Sequence, residues 1–359
     1  MVGSFVHIII AALTTIAAAN NDVTILFAGD AMQHQRQLDA AHVTTGVYDY
    51  STCFSNVAPW IQQADYAVVN LETTLATKGF TGYPCFCTPY SFADALKDAG
   101  FDLFLNANNH ILDRRDAGVI RTLDYLDSIG VDHTGAYRNK AERTNTAPLI
   151  RDIKGIKTAF LNYTYCTNGL TTNKVAIDLT DRTLIRNDVK AARDAGAEIV
   201  IVIPHWGAEY RLLPDSWQKS LANYLMTLDI DMIIGGHPHV IQPMEFRTDT
   251  TGRRRLLVYS LGNFISGMRT TDTRGGVVLM THLSRDEHGK AKVDSAEYRP
   301  VYTIPGSKPT DNYRLVYIDS NTDIAGAVGS MAGQCRAFMT NATRTFDAHN
   351  VDVPRYKQP

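Results

Sequence analysis

From residue 22 to about residue 264, short apolar runs alternate with amphipathic segments, and that rhythm restricts the fold to a layered α/β arrangement. Residues 23–27 read as a first strand, ending at Ala28-Gly29-Asp30. Residues 66–69 form a second, ending at Asn70-Leu71-Glu72, and residues 101–105 a third, ending at Asn106-Ala107-Asn108-Asn109-His110. The run 199–203 stops at Pro204-His205-Trp206-Gly207, and Asp231-Met232-Ile233-Ile234 leads into Gly235-Gly236-His237-Pro238-His239. Helices are expected over 91–99 with Gly100 as the stop, over a segment capped by Asp113 and running to Ile129, over 185–195, and over 217–228. Residues 148–165 read as a hairpin turning at Lys154-Gly155.

The second half is richer in strands. Residues 256–259, 276–283 and 293–301 suggest antiparallel strands, 313–318 one more, and 324–346 a terminal helix. The expected fold class is α/β, an α+β sandwich of layered sheets flanked by helices. One main domain covers 21–320, with a signal-like segment over 1–20 and a C-terminal helix and tail over 321–359. In that first segment, residues 5–19 are nearly continuous small and apolar sequence closing on Ala17-Ala18-Ala19, as in a secretory leader, and too short to span a bilayer comfortably. No Lys or Arg precedes it. Export is the expectation, to the periplasm or the cell surface, with the N-terminal segment either cleaved or kept as an anchor.

A formal net charge of −2 over 359 residues carries no basic excess, so a nucleic-acid partner is not expected. Five cysteines lack the spacing of a disulfide framework or a four-cysteine zinc site. They read as small buried residues, although Cys85 or Cys87 could reach Cys53 in an oxidising compartment. Asn162-Tyr163-Thr164 and Asn341-Ala342-Thr343 fit a glycosylation pattern.

In open α/β sheets, ligands gather beyond the carboxyl ends of the strands. This chain sets Asp30, Glu72, Asn109, His110, His205, His237 and His239 there. Proline stiffens the His-Pro-His loop, so two imidazoles can be aimed at one centre or at two adjacent ones. Carboxylates, an amide oxygen and imidazoles form the mixed oxygen and nitrogen set that suits Mn, Fe or Zn, and the set is large enough for two ions. Each residue also has a structural reading: a lone histidine is more often hydrogen-bonded than ligating, the asparagines tolerate turn geometry, and Asp113 reads as a helix cap.

The ordered motifs Gly29-Asp30-Ala31-Met32, Asn70-Leu71-Glu72, Asn108-Asn109-His110-x-x-Asp113, His205-Trp206-Gly207-x-Glu209-Tyr210, Gly236-His237-Pro238-His239-Val240-x-Gln242-Pro243-x-Glu245 and Tyr259-Ser260-Leu261-Gly262-Asn263-Phe264 resemble the bacterial CapA/PgsA family of poly-γ-glutamate and other capsule synthesis systems. Tyr165-Cys166-Thr167-Asn168-Gly169 looks like a further family segment near the site. That family is similar to calcineurin-like metallophosphoesterases. The resemblance implies Asp30 and His239 at a first metal, Glu72 as the bridging carboxylate, and Asn109, His205 and His237 at a second. It implies His110 and Asp30 as catalytic residues, with His110 beside the leaving group. Asn70, Asn168, Glu209, Glu245 and Asn263 are expected to bind substrate or orient ligands. Met32 departs from the pattern, since a phosphoesterase expects histidine there, and His34 is a candidate substitute. Two functions are therefore expected from different classes. One is a metal-dependent hydrolase of phosphoester-like bonds acting on a phosphorylated small molecule. The other is a non-catalytic accessory that binds an anionic capsule polymer alongside membrane synthesis subunits.

Overall fold

The computed structural model describes residues 22–306 and 311–357; the signal-like segment lies outside them. Two large sheets stack face to face. In the first, Val23–Ala31, Tyr66–Leu71, Leu103–Leu105 and Asp132–Thr134 run parallel in that order. Gly275–Arg285, Ala291–Ile304 and Arg314–Tyr317 extend it antiparallel on the other edge. The second sheet sets Ile156–Thr164, Ile199–His205, Met232–Ile234 and Arg254–Val258 parallel, with Leu149–Ile153 and Met244–Thr248 antiparallel at its edges.

Strand periodicity explains the layers. Val23, Ile25 and Phe27 point into the space between the sheets, where they meet Ile199, Ile201 and Ile203. The alternate residues Leu26 and Ala28 face the other way, toward Phe92, Ala93 and Leu96 of the helix Tyr90–Asp98. Val200 and Val202 likewise face Ile185 and Val189 of the helix Arg182–Asp194 and Leu221 of the helix Ser216–Leu225. The result is a four-layer sandwich, helix–sheet–sheet–helix. Each fully buried aliphatic or aromatic side chain contributes roughly 1.5–3 kcal/mol to it.

Two expectations change. Arg254–Val258 joins the second sheet, parallel to Met232–Ile234 on one side and antiparallel to Met244–Thr248 on the other, and lies apart from the later antiparallel strands of the first sheet. The terminal helix breaks at Gly329, which has φ +56°, into Ile324–Val328 and Ala332–His349. The cysteines are unbridged, all five being free thiols: Cys53, Cys87 and Cys335 are buried as expected, whereas Cys85 is exposed and Cys166 half-buried. After the last helix, the tail runs back across the molecule: Val351 pairs with Met244 and Phe246, and Arg355 with Tyr298.

Candidate metal centre

The carboxyl ends of the parallel strands in both sheets open on the same side, and the seam between the sheets collects their polar ends. Gly29 makes the first approach feasible: a Cβ there would lie 1.9 Å from the Gly262 carbonyl oxygen. The strand register slips between Ala28 and Asp30, turning the Asp30 carboxylate into the seam. Gly235 serves the facing sheet, since a Cβ there would meet the Tyr259 carbonyl at 2.2 Å and the Trp206 indole at 2.4 Å. His237 and His239 both adopt left-handed backbone, φ +94° and +58°, a conformation uncommon in histidine and concentrated at functional sites.

Four donor atoms converge at one point. His205 Nε2 lies 2.8 Å from Asn109 Oδ1, 3.1 Å from His237 Nδ1 and 3.6 Å from Glu72 Oε1. A second group adjoins it: His239 Nδ1 is 3.2 Å from Asp30 Oδ2, and its Nε2 is 3.8 Å from Glu72 Oε1. Glu72 stands between the two groups. Asn263 Oδ1 is 3.0 Å from His239 Nδ1, which leaves Nε2 turned toward Glu72. The Asn70 amide donates to Asp30 Oδ1 at 2.8 Å and reaches Glu72 Oε2 at 3.4 Å. Asn108 in turn donates to Asn70 Oδ1 at 3.1 Å and to the Leu71 carbonyl at 2.9 Å.

The electrostatics fit a cation. Asp30, Glu72, His205, His237 and His239 are all buried, and among the described residues no lysine or arginine pairs with either carboxylate. Burial, assisted by the neighbouring imidazoles, lowers His205 to about 3. Burial and then His205 hold His237 well below its ordinary value. Both rings are therefore neutral at physiological pH, with lone pairs free to ligate. Burial and then the Asp30 charge push Glu72 well up. For Asp30, burial pushes upward, but the His239 hydrogen bond, the His205 and His239 rings and the Asn70 amide outweigh it and carry the carboxyl down. Glu72 Oε1 has no hydrogen-bond partner despite full burial. An orphaned buried carboxylate oxygen costs several kcal/mol unless something positive meets it. The residues fit a divalent metal.

His110 closes one side. Its Nδ1 is 2.8 Å from Asp113 Oδ2, and Asp113 also accepts the Phe86 N–H at 2.6 Å. This corrects the helix-cap reading of Asp113: the helix Arg115–Ser128 has Arg114 at its N-cap and no side-chain cap bond, and the carboxylate orients the histidine. The spacing of His110 and Asp113 was the available signal, but the helix that starts just after Asp113 favoured the cap. Asn168, at φ +52°, bridges Asn109 Nδ2 at 3.2 Å and His110 Nδ1 at 3.5 Å.

Other expected residues stand apart. Glu245 pairs with Arg247 at 2.6 Å and lines a separate surface hollow with Lys219, Asn223 and His349, so it does not join the donors. Glu209 is exposed at the rim. Met32 is buried. His34 Nδ1 accepts the Gly267 N–H at 3.2 Å, which commits that nitrogen away from metal ligation. Asn162 is buried and bonded to the Ala107 N–H and the Ile203 carbonyl, which removes it as a glycan acceptor in the folded chain.

Comparison with known proteins places these motifs in a lineage. The chain is 26% identical over 289 residues to the capsule biosynthesis protein CapA of Bacillus anthracis, covering 77% of this chain and 67% of that protein. It is 26% identical over 277 residues to the PGA biosynthesis protein CapA of Bacillus subtilis strain 168, covering 75% and 71%. Among solved structures, a 5'-nucleotidase precursor from Thermus thermophilus aligns over 90% of this chain and 59% of its own length, at 14% identity and a TM-score of 0.49. The calcineurin-like phosphoesterase YfkN from Bacillus subtilis aligns over 91% and 98%, at 12% identity and a TM-score of 0.44. The chain thus spans about three fifths of the 5'-nucleotidase. The model of the family described as bacterial capsule synthesis protein PGA_cap matches residues 24–268, the span that contains every donor of the seam, and the chain belongs to that family.

Proposed function

We propose that this protein is a metal-dependent hydrolase of phosphoester bonds that works in capsule assembly at the cell envelope. One observation carries the reading: two buried carboxylates, three imidazoles and an amide oxygen meet with no lysine or arginine among the described residues to balance them. Asp30, Glu72 and His239 would hold one divalent ion, and Glu72, Asn109, His205 and His237 another; Mn, Fe or Zn suits the donors. Divalent ions there supply Lewis acidity, both to acidify a water and to offset charge on phosphoryl oxygens.

The chain's own residues do the rest. Asn70 and Asn108 hold the carboxylates in register, and Asn263 sets the His239 tautomer. Asp113 fixes the His110 ring by Nδ1, leaving Nε2 to pass a proton to the departing alkoxide. The water oxygen bonds to phosphorus, the phosphorus–oxygen bond to the alcohol breaks, and the alcohol leaves carrying the His110 proton. The water's proton goes to solvent, and the ring takes up a proton from solvent to return to its starting state. Family membership supports the capsule setting and a role beside membrane synthesis subunits. The apolar N-terminal segment supports export, and among the described residues no helix is long and apolar enough to cross a membrane.

The test is metal content of the wild type and a His237→Ala variant, beside aryl-phosphate hydrolysis with added Mn²⁺. Near-stoichiometric metal that falls in the variant, together with metal-dependent turnover lost in His110→Ala, is the expected outcome. Metal without turnover would replace the hydrolase with a protein that binds an anionic polymer. No metal under any loading condition would sink the site.

A further inference from the structure

The mouth of the seam is bordered by rings. Tyr165 lies against His237 with ring centres 4.6 Å apart, and Trp217 lies 6.5 Å beyond Tyr165. Tyr210 stands 6.2 Å from His239. Phe86 meets His110 edge-on at 4.6 Å, with Tyr83 at 6.3 Å from Phe86. Tyr165, Trp217, Tyr210 and Tyr83 are 38%, 42%, 56% and 75% exposed, and among the described residues no other Phe, Tyr or Trp is left exposed. Water-facing rings gathered at one place mark a contact surface.

These rings are held in place. The Tyr165 N–H donates to the His205 carbonyl at 3.0 Å, and the Tyr210 N–H donates to the Pro238 carbonyl at 2.9 Å. Both rings are thus tied to backbone that carries metal donors. Tyr210 also sits at φ +65°, an outlier for a bulky residue. A carboxylate stands at this rim: the exposed Glu209 lies within electrostatic reach of both Tyr210 and Tyr165. A rim of rings with a carboxylate suits a neutral, flat or hydroxylated ring and repels a polyanion.

We infer that the substrate is a phosphoester whose alcohol side carries a ring, either a sugar or a nucleobase, clasped between Tyr165–Trp217 and Tyr210 while the phosphoryl group faces the metal donors. This rests on the phosphoester reading above and adds the substrate class. Ring-on-ring contacts tolerate many ring types and are worth enough that losing one weakens binding by about tenfold.

The experiment uses the Mn²⁺-loaded full chain with three substrates: glucose 1-phosphate, adenosine 5'-monophosphate and acyclic glycerol 3-phosphate. Tyr210→Asn, which retains a residue tolerant of left-handed backbone, and Tyr165→Leu should each raise KM for at least one ring-bearing substrate about tenfold. KM for glycerol phosphate and all kcat values should hold. Which ring responds separates sugar from base. Trp217→Leu is the second variant should Tyr165→Leu disturb His237, because Trp217 is a ring removed from the donors. An equal effect on all three substrates, or none, overturns the inference and leaves the hydrolase intact. If the wild type cleaves none of them, the aryl-phosphate assay above decides the hydrolase reading separately. Calorimetric titration of the same compounds then decides the rim: ring-selective binding lost in the variants supports it, and unselective or absent binding overturns it.

Discussion

The strand Met232–Ile234 carries buried charge at both ends, and the ends treat it in opposite ways. At its start, Asp231 is buried but takes a bond from Arg193 Nη2 at 2.8 Å, one from Arg253 Nη2 at 2.5 Å and one from the Val200 N–H at 2.8 Å. At its far end, His237 and His239 face Asp30 and Glu72, where neutral amides and imidazoles are the only protein partners among the described residues. A carboxylate that brings its own guanidiniums is part of the scaffold. A carboxylate buried without them is poised for a cation from solution.

The contrast can be broken by removing one acid from each end. Asp30→Ala should abolish metal retention and lower turnover by more than ~100-fold, beyond what losing a supporting residue costs. The metal-free melting temperature should hold or rise, since a carboxylate lacking a cation has been removed. Metal analysis and calorimetry check both halves. Asp231→Ala should do the reverse: normal metal content, with about 3 kcal/mol of stability lost in denaturant titration because two guanidiniums lose a shared partner. If Asp231→Ala releases metal, or Asp30→Ala destabilises the metal-free chain, the two ends are not distinct.

Metal itself sharpens the same point. At a hundredfold excess over Kd, Mn²⁺ should add about 2.7 kcal/mol to the wild type and nothing to Asp30→Ala, with a chelator reversing the gain. A smaller effect comes from acid. Burial, with His239 next, lowers His34 to about 4 from 6.5. Between those values the unfolded chain takes up a proton that the folded chain refuses. The stability from this group is therefore present above pH 6.5 and lost as pH falls toward 4. From pH 7 to pH 5 that amounts to about 2 kcal/mol. His34→Asn, which keeps an acceptor for the Gly267 N–H, should flatten the dependence of melting temperature over this range.

Much of the donor set was legible because each member ends a strand. Apolar runs stopped by glycine, proline or asparagine declare their carboxyl ends, and Asp30, Glu72, Asn109, His205, His237 and His239 all lie there. Asp113 was not legible as the partner of His110, because an aspartate near a helix start has a local role that competes with the distant one. Glu245 failed for the opposite reason: it follows the His-Pro-His loop closely in sequence, but sits on an edge strand where Arg247 claims it. The aromatic rim was only partly visible: Tyr165 and Tyr210 lie within ordered motifs, but nothing local joins them to Tyr83 or Trp217 as one surface.

Local chemistry by itself determined the alternation of strands and helices, the side each strand turns to the core, and the kind of donor at each strand end. Those depend on hydrophobic period and on backbone freedom at single residues, which are properties of a few neighbours. Only the tertiary structure decided that ends separated by up to about two hundred residues meet within hydrogen-bond distance, as the His237 N–H does with Asp30 Oδ2 at 3.2 Å. That meeting follows from the order of strands in two sheets and from the close approach of Gly29 to Gly262, and pairing order is a global outcome that no short window of sequence contains.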